Sequence, residues 1–212
     1  MIRTEFFTGP AIAAHLPALA ALRRTVFRAW PYLFDGAEPS QDDGAEPSQA
    51  DTLSGFASSG TAGLAVAFAA DRAVGAATCV HLPEEDAHVT QPFCDAGIDP
   101  ARVCYFGESG LLEAFRGAGV GVAFFALREA HARTIPGVDL AAFCAVERGE
   151  DHPLRPAGHV PLDRFWRRRG YAPTGLVCTM RWKEVGGDAG LPHRLRFWTR
   201  SLDAPATGPV PA

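Results

Sequence analysis

The hydrophobic pattern in the first half of the chain predicts a helix followed by a β-hairpin. Between Pro17 and Trp30, apolar residues recur at the three- and four-residue spacing of one helix face, which predicts a first helix. The segment GLAVAFAADRAVGAATCV, residues 63–80, contains two apolar runs around a turn at Asp71 and Arg72, which predicts a hairpin. A short helix is expected near residues 52–57, and residues 84–100 are expected to form a loop with one helical turn.

The second half of the chain predicts strands and helices around a glycine-rich loop. The segment ARVCYFGESGLL, residues 101–112, predicts a strand, and VGVAFFALREAHAR, residues 120–133, predicts a helix with an apolar face. LAAFCAVE, residues 140–147, predicts a short buried strand, and PLDRFWRRRG, residues 161–170, predicts a short helix ended by glycine. GLVCTMRW and RLRFWTRSL, residues 175–182 and 194–202, predict two further strands. Together these elements predict an α+β domain with a strand–loop–helix–strand unit at its centre.

A tandem duplication separates the first helix from the hairpin. DGAEPSQD, residues 35–42, is followed directly by DGAEPSQA, residues 43–50. Two copies of eight residues are too short for a solenoid and contain no core-forming residues, so a flexible surface loop is expected. Deleting one copy should therefore leave folding unchanged. The chain is interpreted as one domain over residues 1–202, followed by a disordered Pro- and Ala-rich tail over residues 203–212.

Composition limits the class of protein. The chain has 212 residues, of which 47% are hydrophobic, enough to bury a core as one domain. A formal net charge of −4 gives no general electrostatic reason to bind nucleic acid or an anionic membrane. No apolar run approaches the roughly 18 residues of a membrane span, and the N-terminus lacks a signal-peptide core. A cytoplasmic protein is expected.

The cysteines and histidines do not suggest a metal site. Five cysteines are scattered along the chain without a CxxC pair, and four of them lie in apolar, strand-like runs where reduced, buried thiols are expected. His152 and His159 are seven residues apart, but no third ligand follows at suitable spacing. No metal is expected.

The stretch FRGAGVG places glycine at positions 117, 119 and 121, directly after Arg116. The loop leaves a predicted strand and opens a predicted helix, where unpaired N–H groups and the helix dipole favour an anion. Three named motifs fit less well. A phosphate-binding Walker loop needs a lysine, the dinucleotide fingerprint needs glycine where Val122 stands, and the nucleophile elbow GxSxG needs glycine where Leu111 follows GESG.

Arg116-Gly117-Ala118-Gly119-Val120-Gly121 resembles the R/Q-x-x-G-x-G/A signature of the GNAT acetyltransferases. The resemblance extends from about Phe27 to Trp182 through the order of elements. It implies the GNAT fold, an α+β fold with a central mixed, mostly antiparallel β-sheet of about seven strands flanked by helices on both faces. It also implies that Arg116 to Gly121 bind the pyrophosphate of acetyl-CoA and that Leu111 and Leu112 contact its pantetheine arm. Glu113 departs from the proline usually found three residues before the arginine.

If the cofactor is acetyl-CoA, a base is the first chemical requirement. An alkylamine with a pKa near 10.4 is neutral in only about one molecule per thousand at pH 7.4, whereas the departing thiol has a pKa of about 8.5. Glu108 is the candidate base, because it lies on the same side of a regular strand as Leu112, about 13 Å away. The resemblance also supports a glutamate on this strand. Glu147 and His152 are the reserve candidates.

Other residues of the family pattern have weaker assignments. Trp166 stands where the family often has a tyrosine general acid, and an indole cannot protonate a thiolate. That role is therefore absent or filled by another group such as Tyr105, and Trp166 is expected to pack, in part against pantetheine. The run Arg167 to Arg169 could reach the 3′-phosphate of CoA or could lie solvated at a helix end.

Two functions of different classes remain open at this point. The leading one is an N-acetyltransferase acting on a primary amine of a small molecule or peptide. The alternative is an acyl-CoA-binding sensor or partner module without turnover, and a serine hydrolase using Ser109 is a distant third. A homodimer through the apolar strand RLRFWTRSL, with its Leu195, Phe197 and Trp198, is also considered.

Overall fold

A computed structural model describes residues 1–36, 55–187 and 190–203. They form one mixed sheet in the order β1-β2-β3-β4-β6-β8-β7, while β5 pairs with β3 alone. The β4–β6 pair is parallel and the other neighbours are antiparallel, so the predicted α+β fold class is confirmed. The eight strands are β1 Ile2–Thr8, β2 Gly63–Ala69, β3 Arg72–His81, β4 Val103–Tyr105, β5 Ser109–Leu111, β6 Leu140–Val146, β7 Ala172–Lys183 and β8 Gly190–Ser201.

Helices cover both faces of the sheet. Ala76 packs with the first helix, whereas its neighbour Ala77 packs with the third, and neighbouring strand residues point to opposite faces. Tyr105 is paired with Val80, which shares the face of Ala76, and packs with the second helix. The first two helices therefore share one face, called here the α1 face, and the last two share the other, called the α3 face. The helices that cover the sheet in the described ranges are α1 Leu16–Phe27, α2 Ala87–Asp95, α3 Val120–Ala132 and α4 Asp163–Arg167.

Three elements differ from the sequence prediction. The strand predicted over residues 101–112 is broken into β4 and β5, with residues 106–108 between them. β1 was not predicted; it pairs along its whole length with β2 at the edge of the sheet. Helix α2 replaces the predicted loop with one helical turn, and its prolyl residue Pro92 would ordinarily argue against a helix. Burial of Val89 and Phe93, four residues apart on one helix face, stabilises the helix regardless.

The duplicated segment lies outside the described residues from position 37 onward, and so do residues 52–54 of the short predicted helix, which is helical over residues 55–58. The predicted tail lies outside them from residue 204. All five cysteines are free, with Cys94 exposed and the other four buried, as predicted. Within the described ranges, no helix is both long and apolar enough to cross a membrane.

The reason given for a dimer through residues 194–202 is wrong. Strand β8 lies inside the sheet, hydrogen-bonded to β6 on one side and to β7 on the other. Its apolar residues Leu195, Phe197 and Trp198 are buried in the core of the same chain, where they pack beneath the helices. An edge-to-edge contact through β8 is therefore not open to a second copy.

Candidate active site

The centre of the sheet opens into a wedge. β4 and β6 pair through Tyr105 and Ala142, and the last hydrogen bond between them runs from Phe106 N–H to Ala142 O at 2.7 Å. Beyond this point the chain continues as β5, which stays with β3, while β6 stays with β8. The edges of β5 and β6 that face each other therefore carry no ladder, which leaves a gap with backbone polar groups along its wall.

The glycines of the loop beside this gap have different physical roles. Gly117 and Gly119 both have φ of +82°, in the left-handed region that strains other residues, and a Cβ at either would meet no neighbour within 4 Å. Gly121 has no positive φ, but a Cβ there would lie 3.1 Å from the ring of Phe165 on α4. Two glycines shape the turn, and the third lets α4 pack against the start of α3.

The loop presents an anion-binding surface. Helix α3 begins at Val120 with Gly119 as its N-cap, and the N–H groups of Val122 and Ala123 both donate to Gly119 O. In the part of the chain that the structure describes, residues 117–121 donate no backbone hydrogen bond. Five successive N–H groups at the positive end of a helix of 13 residues have the geometry and the dipole that favour a phosphate or pyrophosphate.

Arg116 connects the loop to the gap. Its side chain is exposed, and its Nε donates to Leu111 O on β5 at 3.4 Å. The structure thus places the predicted pyrophosphate residues at the end of the predicted pantetheine strand. The arrangement suits a long ligand with an anionic end on the loop and an arm lying along β5.

Leu111 and Leu112 differ in what they offer to such an arm. Leu112 N–H donates to Val74 O on β3 at 2.9 Å, and Thr78 N–H donates to Glu108 O at 2.9 Å, so these positions face β3. Because ladder bonds alternate along an antiparallel pair, Ser109 and Leu111 direct their backbone groups to the gap. Leu111 can therefore hydrogen-bond to a ligand arm in the gap through its backbone. Leu112 can contact the arm through its half-buried side chain, which packs with residues of α1.

Glu108 is turned towards α1 by a bulge in the strand. Tyr105 is opposite Val80 and Glu108 is bonded to Thr78, so Phe106 and Gly107 together face the single residue Cys79. This extra residue reverses the alternation and places Glu108 on the α1 face, the same face as Tyr105. The bulge ends before Glu108. Glu108 and Leu112, four residues apart, therefore still lie on the same side of the strand, as predicted.

The carboxylate of Glu108 lines a pocket under α1. Its Oε1 lies 2.9 Å from Nε of Arg23, while its Oε2 is buried without a hydrogen-bond partner. Burial raises the pKa of Glu108, and the positive charge of Arg23 lowers it by less. A carboxylate with a raised pKa is better matched to taking a proton near neutral pH. The remaining lining residues are Leu19, Leu22, Phe27, Ala76 and Gly110.

Tyr105 lies behind the gap rather than in it. Its backbone is paired on both sides, its side chain is 4% exposed, and its Oη lies 3.0 Å from Sγ of Cys144. Burial, followed by the neighbouring Cys144, raises the pKa of Tyr105 well above its ordinary value. The departing thiolate, whose thiol has a pKa of about 8.5, is a weaker base than the phenolate of Tyr105. Transfer of a proton from Tyr105 to that thiolate is therefore energetically unfavourable.

Trp166 and the reserve residues have partners of their own. Trp166 packs edge-on against Phe143 of β6 and Trp198 of β8, with ring centroids 5.1 and 5.0 Å apart. Glu147 forms ion pairs with Arg194 and Arg196. His152 packs against the ring of Trp30. In the following basic run, Arg167 lies over Trp198 and Arg169 over Phe165.

Five residues near Glu108 were missed by the sequence analysis. Burial raises the pKa of Glu85 to about 7, with Asp86 and Glu108 adding to the effect. Burial also raises the pKa of Tyr32, and Glu108 is among the charges that contribute. These residues come from distant parts of the chain, and no local pattern marks them. The five are Arg23, Tyr32, Thr78, Glu85 and Arg128.

The fold has many solved counterparts. No family model and no curated protein matches the sequence. Among solved structures, yncA from Salmonella typhimurium, determined with its cofactor acetyl-CoA, is 12% identical with a TM-score of 0.56, covering 99% of both chains. Arabidopsis thaliana NAA60, bound to a bisubstrate analogue, is 11% identical with a TM-score of 0.57, covering 94% of this chain and 99% of that one.

A third counterpart carries the family description. A Desulfovibrio desulfuricans protein described as an acetyltransferase of the GNAT family is 13% identical with a TM-score of 0.51, covering 95% of this chain and 99% of that one. At these identities, all below 25%, the likeness concerns the fold alone. The chain has the GNAT fold.

Proposed function

We propose that this protein is an acetyl-CoA-dependent N-acetyltransferase that acetylates a primary amine of a small molecule or peptide. The observation that carries the proposal is the set of five N–H groups of residues 117–121, which have no backbone partner among the described residues and lie at the end of a gap whose wall is open backbone. The same fold occurs in yncA, whose structure was determined with its cofactor acetyl-CoA, and this supports the choice of ligand. Bound acetyl-CoA would supply an activated acetyl thioester.

The residues of this chain fit that ligand in order along the site. The N–H groups of residues 117–121 would hold the pyrophosphate, with Arg116 beside them. The backbone of Leu111 and the side chain of Leu112 would lie along the pantetheine arm. Trp166, packed beside β6 on the α3 face, would border the same gap.

Glu108 would hold the proton given up by the amine. The loop lies at the start of α3, whereas Glu108 lies on the α1 face, so the two functions are on opposite faces of the sheet. An acceptor amine would therefore approach from the α1 face, where the carboxylate with the raised pKa can remove its proton. The acetyl group transfers when the amine nitrogen bonds to the thioester carbon and the carbon–sulfur bond breaks, and the thiol can leave without Tyr105.

The first test is acetyl-CoA binding by calorimetry. Gly119→Glu should abolish binding, because its carboxylate would repel the pyrophosphate and its φ of +82° is unfavourable for a side chain. Gly137→Glu is the matched control, since Gly137 has φ of +80°, is open and lies at the other end of α3. Loss of binding in both variants, or no binding by the wild type, would contradict the assignment of the loop.

A second candidate is an acyl-CoA-binding sensor without turnover. It is favoured by the ion pair with Arg23, which engages the carboxylate of the candidate base Glu108. It is also favoured by the raised pKa of Tyr105, which makes this residue a poor proton donor. Release of free CoA thiol on mixing the protein with acetyl-CoA and a panel of amines separates the two functions. Binding with amine-dependent thiol release supports the enzyme, and binding without release supports the sensor.

A further inference from the structure

The bulge that aims Glu108 is held by an unusual hydrogen-bond exchange at Thr78. In a regular antiparallel pair, Glu108 N–H would donate to Thr78 O while Thr78 N–H donates to Glu108 O. The second bond is present at 2.9 Å, but Glu108 N–H instead donates to the side-chain Oγ1 of Thr78 at 2.8 Å. The hydroxyl has taken the place of the backbone carbonyl.

The freed carbonyl is taken up by a buried arginine of the opposite face. Arg128 of α3 is 1% exposed, and its Nη1 donates to Thr78 O at 3.3 Å while its Nε donates to Phe124 O at 3.1 Å. Its guanidinium also lies over the rings of Phe106 and Phe125, 4.4 and 5.0 Å from their centroids. Phe106 is itself a bulge residue, so Arg128 contacts both sides of the irregularity.

Burying this arginine is energetically unfavourable. Among the described residues, no carboxylate forms an ion pair with Arg128; burial lowers its pKa by more than nearby groups, Glu129 among them, raise it. An unpaired buried charge costs several kcal/mol unless hydrogen bonds and ring contacts offset it. Gly107 adds a second constraint, because a Cβ there would lie 3.0 Å from Thr78 Oγ1. The close approach of the bulge to Thr78 therefore leaves little room for a residue larger than glycine at position 107.

We propose that Thr78 and Arg128 are positioning residues that set the bulge and thereby turn the carboxylate of Glu108 to the α1 face. The inference rests on the proposed function of Glu108 as the base. Without the hydroxyl, Glu108 N–H would be left unpaired or would compete with Arg128 for Thr78 O, and the bulge would shift. The backbone of Ser109 and Leu111 would keep its place, because the flanking bonds to β3, from Leu112 N–H to Val74 O and from Thr78 N–H to Glu108 O, do not use the hydroxyl.

The test compares Thr78→Val, which keeps the shape and removes the hydroxyl, with Thr78→Ser, which keeps the hydroxyl. Thr78→Val should lower kcat on the order of tenfold or more, part of the roughly 10²–10⁴-fold that a positioned base contributes, and leave the acetyl-CoA Kd unchanged. Thr78→Ser should restore kcat. In the Glu108→Gln background, Thr78→Val should cause no further loss, because Thr78 acts through Glu108. An equal loss in both backgrounds would overturn the proposal.

A second measurement separates failure of this inference from failure of the proposed function. The Glu108 carboxyl can be titrated by NMR on glutamate-labelled protein and assigned with Glu108→Gln, without any turnover. Arg23 from α1 forms an ion pair with it, and Glu85 from the segment before α2 and Tyr32 from the segment after α1 interact with it electrostatically. Thr78→Val should change the Glu108 pKa and Thr78→Ser should not. If the wild type lacks turnover, unchanged titration in Thr78→Val would still overturn the positioning role.

For Arg128, the conservative variant Arg128→Lys is informative. It keeps the positive charge, but a single ammonium group replaces the guanidinium whose Nε and Nη1 donate to Phe124 O and Thr78 O. We expect a folded protein with a lowered kcat and an unchanged acetyl-CoA Kd. Full activity in a variant whose Glu108 pKa is unchanged would remove Arg128 from the proposal and leave Thr78 alone.

Discussion

The Nε atom of Arg23 lies 2.9 Å from Oε1 of Glu108, and this ion pair joins helix α1 to the strand at the centre of the sheet. The two side chains are 30% and 28% exposed, so they are partly shielded from water. Arg23 lowers the pKa of Glu108 while burial raises it by more. Arg23 therefore tunes the candidate base, and an approaching amine would meet both charges.

Replacing Glu108 by glutamine should lower kcat by about 10²–10⁴-fold, because the variant cannot accept a proton from the amine. Acetyl-CoA binding should be unchanged, since the loop at residues 117–121 is on the other face. Steady-state kinetics with one amine and calorimetry with acetyl-CoA check the two parts. A kcat equal to that of the wild type would show that Glu108 is not the base.

Replacing Arg23 by methionine should move the acidic limb of the pH–rate profile to higher pH. Burial alone then acts on Glu108, its pKa rises further, and the deprotonated form that activity requires appears only at higher pH. The profile of kcat/KM for a single amine measures the shift. Arg24→Met is the control, because Arg24 is the exposed neighbour on the same helix. An equal shift in both variants would argue against the ion pair as the cause.

Replacing Gly121 by alanine should destabilise the fold by up to about 2 kcal/mol, because overpacking against Phe165 costs about 1–3 kcal/mol and the higher helix propensity of alanine offsets about 1 kcal/mol of it. The added Cβ would lie 3.1 Å from the ring, which must then move. Urea denaturation measures the loss, and Gly175→Ala, where a Cβ meets nothing within 4 Å, is the control. The loss should be smaller in a Phe165→Leu background. An unchanged loss there would show that Phe165 is not the obstacle.

Replacing Glu85 by glutamine should stabilise the protein at pH 8 and have little effect at pH 4. The folded-state pKa of Glu85 is raised to about 7, above the roughly 4.3 of an unfolded chain, so the folded state binds more protons between these values. Wild-type stability therefore falls as pH rises through this window, by on the order of 1 kcal/mol after allowance for partial exposure. Unfolding curves at several pH values test this against the exposed Glu150→Gln. Greater stabilisation by Glu85→Gln at pH 4 than at pH 8 would contradict the sign.

The glycine loop shows what local sequence can determine. A glycine-rich turn between a strand and a helix already specifies unpaired N–H groups and a positive helix end, because both depend on neighbours within a few residues. The element order then fixes the fold class, and apolar runs predict most of the strands. The same local logic did not reveal α2, whose Pro92 hides a helix that is stabilised by burial of Val89 and Phe93.

The role of each side chain in the site was decided by contacts between residues far apart in the chain. The sequence by itself determined that Gly121 stands at the start of a helix, but only the ring of Phe165, 44 positions later, leaves little room for a larger residue there. It also predicted Glu108 within one strand over residues 101–112, whereas Glu108 lies in the break between β4 and β5, directly before β5. Its face, its partner Arg23 and its raised pKa depend on a bulge that Thr78 and Arg128 hold, because burial and hydrogen bonding across strands arise only when the sheet has formed.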